Sequence, residues 1–140
     1  MRDGVYVEVD SNGNRTWRLD NHQFHREDGP AIERADGTRS WFQNGLLHRL
    51  DGPAVESPDG DRSWFQNGRR HRVDGPAIER ANGNREWFQN GRRHREDGPA
   101  IERARSGRCK WYLNNKEYTE QDFEQELLVR KWGLSVDSRA

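Results

Sequence analysis

Trp41, Trp64 and Trp87 stand 23 residues apart, and Trp111 follows after 24. The pattern H-R-x-D-G-P-A recurs at residues 25–31, 48–54, 71–77 and 94–100. Each copy is followed by an aliphatic residue (Ile32, Val55, Ile78, Ile101) and a glutamate (Glu33, Glu56, Glu79, Glu102). Each tryptophan is followed by Phe42, Phe65, Phe88 or Tyr112, then by Asn-Gly at 44–45, 67–68 and 90–91, with Asn114-Asn115 in the last unit. Gly13 and Trp17 mark a degenerate first unit. A fixed period of this length means one supersecondary unit that buries its apolar side chains against its neighbours, so the chain is a stacked array.

Composition alone leans towards disorder: 30% of residues are hydrophobic, 34% are charged, and the mean hydropathy is −1.33. Two facts oppose that. The 24 Lys and Arg balance the 24 Asp and Glu, so self-repulsion is absent, and six tryptophans can each bury roughly 200 Å². At 140 residues the chain is one domain. The lone Cys109 excludes an intrachain disulfide and a CxxC site. No stretch approaches the ~20 apolar residues of a membrane span, and no apolar signal segment follows Met1. The expected setting is soluble and cytoplasmic.

Asn-Gly and Asp-Gly between short runs are hairpin signals, because a type I′ turn needs positive φ at both central residues. A two-residue turn at Asp36-Gly37 places Ile32 opposite Trp41 and Glu33 opposite Ser40. A second at Asn44-Gly45 places Trp41 opposite His48 and Ser40 opposite Arg49. In the last unit a three-residue loop, Arg105-Ser106-Gly107, puts Ile101 opposite Trp111 and Glu102 opposite Lys110. Alternation then predicts one face with Ile32, Trp41 and His48 as a core stripe, beside Arg34 and Arg39. The other carries Ala31, Phe42, Glu33 and Arg49, its Glu and Arg columns forming ion pairs. The fold class is an all-β repeat: an elongated, twisted antiparallel sheet of tandem 23-residue hairpins with a C-terminal capping helix.

The ends differ from the middle, as a stack requires. Residues 1–24 form the degenerate unit, with Val5, Val7 and Val9 alternating as an edge strand, and residues 25–118 hold the tandem repeats. Thr119 with Asp122 three residues on reads as a helix N-cap. Phe123, Leu127, Leu128 and Trp132 form an apolar stripe over 119–132, and Gly133 ends the helix. The cap segment is 119–134, and 135–140 is expected to be a loose tail.

The H-R-x-D-G-P-A and W-F-x-N-G elements resemble MORN-variant repeat proteins over roughly residues 13 to 118. The resemblance implies twisted antiparallel sheets of successive hairpins and a role in interaction, in some members antitoxin-like. It maps no catalytic residue here. Asn115 in place of Gly, and Cys109 in place of the Arg at 39, 62 and 85, depart from the pattern.

The recurring His25, His48, His71 and His94, each three residues before an Asp, could suggest metal binding or base catalysis. Equivalent positions lie roughly 10 Å apart, at ~4.8 Å per strand, too far for shared ligation. These histidines are expected to pack beside Trp and bond near the Asp-Gly-Pro corner. Asp28, Asp51, Asp74 and Asp97 read as turn formers accepting backbone N–H groups. Cys109 has no partner at a nucleophile spacing, and no phosphate-loop or nucleophile-elbow motif is present. No cofactor and no enzymatic activity are expected.

What remains are places where repeats differ or project. Arg69-Arg70 and Arg92-Arg93 could contact phosphate, giving nucleic acid or anionic lipid as alternative partners. Arg72 and Arg95 are expected to pair with the Glu column. Leu46-Leu47 replaces an Arg pair and makes an apolar patch beside Phe42. The Phe42, Phe65, Phe88, Tyr112 stripe has the make-up of a protein interface, or packs on a second layer. The leading expectation is a non-enzymatic protein-interaction module, a small inhibitor or antitoxin-like protein such as a phage factor that blocks a defence effector.

Overall fold

The structure is a computed structural model that describes residues 4–133. The tail expected at 135–140 and residue 134 lie outside the described residues. The chain forms an open antiparallel sheet of repeated hairpins with one C-terminal helix. Eleven strands follow one another without crossover, from Tyr6–Val9 and Arg15–Arg18 through two strands per repeat to Cys109–Leu113 and Lys116–Tyr118. Each of the first three repeats also forms a separate two-stranded hairpin outside that sheet. Phe42–Gln43 pairs with Leu46–Leu47, Phe65–Gln66 with Arg69–Arg70, and Phe88–Gln89 with Arg92–Arg93. The chain leaves the long sheet at Trp41, Trp64 and Trp87, one residue between two strands.

The register of the long sheet differs by one residue from the sequence expectation. Ile32 pairs with Ser40 and Glu33 with Arg39. The cause is the turn. Gly37 takes φ 98 and its N–H donates to the Arg34 carbonyl at 2.9 Å, while Arg34 N–H donates to the Thr38 carbonyl. That is a three-residue loop, 35–37, ending in a left-handed glycine bulge, rather than a two-residue turn. In the last unit the loop is four residues, 104–107, so Ile101 pairs with Lys110 and Glu102 with Cys109. The Asn44-Gly45 turn does take the expected form, with φ of 50 and 82, and His48 N–H donates to the Trp41 carbonyl at 3.0 Å. Ser40, however, pairs with Val55, and Arg49 N–H reaches Phe65 of the next hairpin.

A one-residue slip exchanges the faces. The isoleucines join the Phe side: Ile78 and Phe88, both buried, cluster with Ala77 and the half-buried Trp64. Burying side chains of this size contributes roughly 1.5–3 kcal/mol each, and Ala31, Ala54, Ala77 and Ala100 are fully enclosed. On the opposite face the register aligns Arg15, Glu33, Arg39 and Glu56 across neighbouring strands, then Arg62, Glu79, Arg85 and Glu102. Arg and Glu therefore alternate across the sheet until Cys109 closes the row.

Successive two-stranded hairpins are joined through their turns. The two N–H groups of an Asn-Gly turn point out of the hairpin and need acceptors. Asn67 N–H donates to His48 Nδ1 at 3.0 Å, and Gly68 N–H to the Leu47 carbonyl at 2.8 Å. The same pair of bonds recurs from Asn44 to His25, Asn90 to His71 and Asn114 to His94. The loops of the long sheet are linked too: Ala35 N–H donates to Asn14, Ala81 to Asp61 and Ala104 to Asn84. The one loop whose neighbour offers Thr38 instead has Pro58 at the donor position, which has no N–H to satisfy.

At the N-terminal edge, Tyr6–Val9 pairs with Arg15–Arg18, leaving Val7 and Val9 exposed. The helix spans Glu120–Trp132. Thr119 Oγ1 accepts the Asp122 N–H, and Gly133 at φ 70 closes it with a bond to Val129. It lies against the last two strands. Of its expected apolar stripe only Phe123 is buried; Leu127 is half-buried, whereas Leu128 and Trp132 are exposed.

Candidate functional site

The arginine of H-R-x-D-G-P-A is a four-way clamp. Arg49 places its guanidinium carbon 3.8 Å from the centre of the Trp41 ring. Its Nε donates to Asp51 Oδ1 at 3.2 Å, its Nη1 donates to the Pro53 carbonyl at 3.0 Å, and the same nitrogen lies 3.6 Å from Glu56. Arg26 repeats this on Trp17, Arg72 on Trp64 and Arg95 on Trp87. Arg72 and Arg95 thus pair with the Glu column as expected, at 3.1 and 3.0 Å. Each clamp combines a cation–π contact, worth about 1 kcal/mol when partly desolvated, with charge-assisted bonds. The aspartates accept from these arginines rather than from backbone N–H groups as the sequence suggested.

The clamp also explains the glycine of Asp-Gly-Pro. A Cβ on Gly52 would sit 3.0 Å from the Arg49 guanidinium carbon, and on Gly75 2.9 Å from that of Arg72.

The histidines do not bond at the Asp-Gly-Pro corner; Nδ1 serves the turn of the two-stranded hairpin that follows. His25 and His94 bring Nε2 to 3.3 and 3.1 Å from Glu27 and Glu96 and are buried. In the two middle repeats the position of that glutamate is taken by Leu50 and Val73, and His48 and His71 are half-buried. Among the described residues no group of three or more His, Cys, Asp or Glu side chains is placed to hold a metal ion.

Three shallow grooves run along this corner, one per junction between repeats. The first has Trp41, Gln43 and His48 in it, the second Trp64, Gln66 and His71, the third Trp87, Gln89 and His94. Leu50 and Asp51 line both the first and second; Val73 and Asp74 line both the second and third. Leu50 and Val73 are therefore ridges between adjoining grooves, and they are 75% and 74% exposed. Sequence reading passed over both. The signal was available at the x of H-R-x-D-G-P-A, which is Glu at 27 and 96 but apolar at 50 and 73.

The residues singled out from sequence divide between the two sides of the second hairpins. Leu47 pairs with Phe42, Arg70 with Phe65 and Arg93 with Phe88, on the side of the buried cluster. Arg70 lies 5.3 and 5.7 Å from the ring centres of Phe65 and Phe88, and Arg93 5.4 and 5.6 Å from those of Phe88 and Tyr112. Arg93 also bonds Glu86 at 3.3 Å. Phe88 is buried, and Phe42, Phe65 and Tyr112 are half-buried, so the aromatic stripe packs inward over much of its area. Leu46, Arg69 and Arg92 pair with Gln43, Gln66 and Gln89 instead; Leu46, Arg69 and Arg92 are exposed. No helix among the described residues is long and apolar enough to cross a membrane.

No protein-family model matches the chain, and no curated protein is significantly similar to it.

Proposed function

We propose that this protein is a non-enzymatic interaction module of the MORN-variant repeat type that binds a partner protein along the corner carrying Leu50 and Val73. The observation that supports the reading is their exposure. Two large apolar side chains stand almost fully in water on a scaffold whose equivalent positions, 27 and 96, carry glutamate. Neither is needed to complete a clamp or a turn, so both are free to contact a partner. The grooves between them are preformed, which lowers the ordering cost of association. A small rigid array of this kind acts by occupying a partner's surface, as an inhibitor does.

The test is capture of partners by the tagged full chain from lysate of the native host, in parallel with Leu50→Lys/Val73→Lys. A protein retained by the unaltered chain and lost by the variant is the expected result. If only nucleic acid or anionic lipid is retained, and Arg69→Ala/Arg92→Ala abolishes that retention at low salt, the phosphate-binding alternative replaces this reading.

A further inference from the structure

We propose that the three grooves receive a basic, extended segment of the partner, one lysine or arginine side chain in each. This rests on the protein-interaction reading above and names the chemistry of the partner.

Charge complementarity carries the argument. Asp28 and Asp51 flank the first groove, Asp51 and Asp74 the second, Asp74 and Asp97 the third. Their side chains are 85–89% exposed, although each already accepts from a clamp arginine through Oδ1. Glu27 and Glu96 add a carboxylate at either end. Counted once each, six carboxylates line the three grooves against four guanidinium groups, the excess being Glu27 and Glu96. The guanidinium groups present are also spoken for, each held between its Asp and the Glu of the next strand. A neutral protein thus presents an acidic strip on one corner. Leu50 and Val73 stand within it, where the methylene stems of Lys or Arg can lie against them while the charged heads reach the carboxylates.

The spacing selects the conformation of the segment. Each repeat advances two strands, about 9.6 Å at ~4.8 Å per strand. A polyproline-type chain rises ~3.1 Å per residue with three residues per turn, about 9.3 Å, so every third side chain meets the next groove. An α-helix would use every seventh residue, about 10.5 Å at 1.5 Å per residue, and would be roughly 2 Å out of step at the third groove.

The probe is a synthetic nonapeptide of three Pro-Ala-Arg units, compared by calorimetric titration with an isomer whose three arginines are contiguous at one end. The periodic peptide is expected to bind the full chain about tenfold more tightly than the isomer, with affinity falling as salt rises. Asp51→Asn/Asp74→Asn keeps the Oδ1 acceptors of the clamps, so the fold is retained, and it is expected to weaken binding about tenfold. Equal binding of the two peptides, no binding of either, or indifference to the Asn pair overturns the inference. A partner captured in the lysate experiment and lost with Leu50→Lys/Val73→Lys would leave the interaction reading standing even then.

Discussion

The ring Nδ1 of His48 accepts the backbone N–H of Asn67 at 3.0 Å, so the side chain that follows one two-stranded hairpin completes the turn of the next. An imidazole that accepts at Nδ1 and is neutral must carry its proton on Nε2. Nitrogen NMR at neutral pH is therefore expected to find the Nε2–H tautomer at His25, His48, His71 and His94. Replacing His48 with Ala leaves the exposed Asn67 N–H to water and is expected to cost about 0.5–1.5 kcal/mol in urea unfolding. A His48→Ala protein as stable as the parent would remove the histidines from the stacking mechanism.

Gly52 and Arg49 are expected to be energetically coupled. Gly52 has no positive φ, so the 3.0 Å approach to the guanidinium is what opposes a side chain there. Gly52→Ala should push the clamp off Trp41 and destabilise the protein by about 1–3 kcal/mol. In an Arg49→Ala background the obstacle is gone, and the same change should become neutral or stabilising by up to about 0.5 kcal/mol through the less flexible unfolded chain. A double-mutant cycle reads the difference directly; additive effects would mean that the glycine is retained for some other reason.

The clamps and turns bear on how much of this fold the sequence could announce. The repeat, the Asn-Gly turns and the Thr119 and Gly133 caps were legible because each is a local signal: φ at two residues, or a side chain three positions from its N–H. The pairing of Ile32 with Ser40 was not, because Asp36-Gly37 serves equally in a two-residue turn and in a three-residue loop, and only the linked loops of neighbouring repeats select between them. The helix stripe failed because its spacing is not that of one face. At about 100° per residue Leu127 lies about 40° from Phe123, but Leu128 lies about 140° and Trp132 about 180° away, so only the first two can face the strands. The histidines were expected to bond at the Asp-Gly-Pro corner because their true partner, a backbone N–H 19 residues away, leaves no trace in residue types. Leu50 and Val73 were hidden in the one position the consensus leaves blank.

Acid should loosen the loops of the long sheet. Asp36 is held below the ordinary aspartate value of 3.8 chiefly by the Thr38 backbone N–H at 2.9 Å, then by the Thr38 hydroxyl and the Arg34 charge. Asp10 is lowered by the Asn14 side chain and backbone, and Asp59 by the Ser57 hydroxyl and the Asp61 N–H. A carboxylate whose folded value lies below its unfolded one contributes stability that is fully present above the unfolded value. That contribution is lost as the pH falls through the folded value. Stability is thus expected to be flat with respect to these groups at neutral pH and to decline below about pH 4. Asp36→Asn should flatten that decline, as followed by tryptophan fluorescence during acid titration.

Leu50→Glu with Val73→Glu separates scaffold from function. The outer repeats already hold glutamate at these positions, where Glu27 and Glu96 approach the Nε2 atoms of His25 and His94. The altered residues stand on the surface, and the new carboxylates would be exposed like Glu27, whose side chain is 68% exposed. Pairs of that kind contribute only about 0–0.5 kcal/mol. The free energy of urea unfolding should therefore stay within about 0.5 kcal/mol of the parent. A loss of more than about 1 kcal/mol would instead mark Leu50 and Val73 as part of the core, because removing buried apolar side chains is what costs that much. In that case their exposure could no longer support an interface. Unchanged stability leaves two apolar residues that the fold does not require, at the position where two repeats depart from their neighbours.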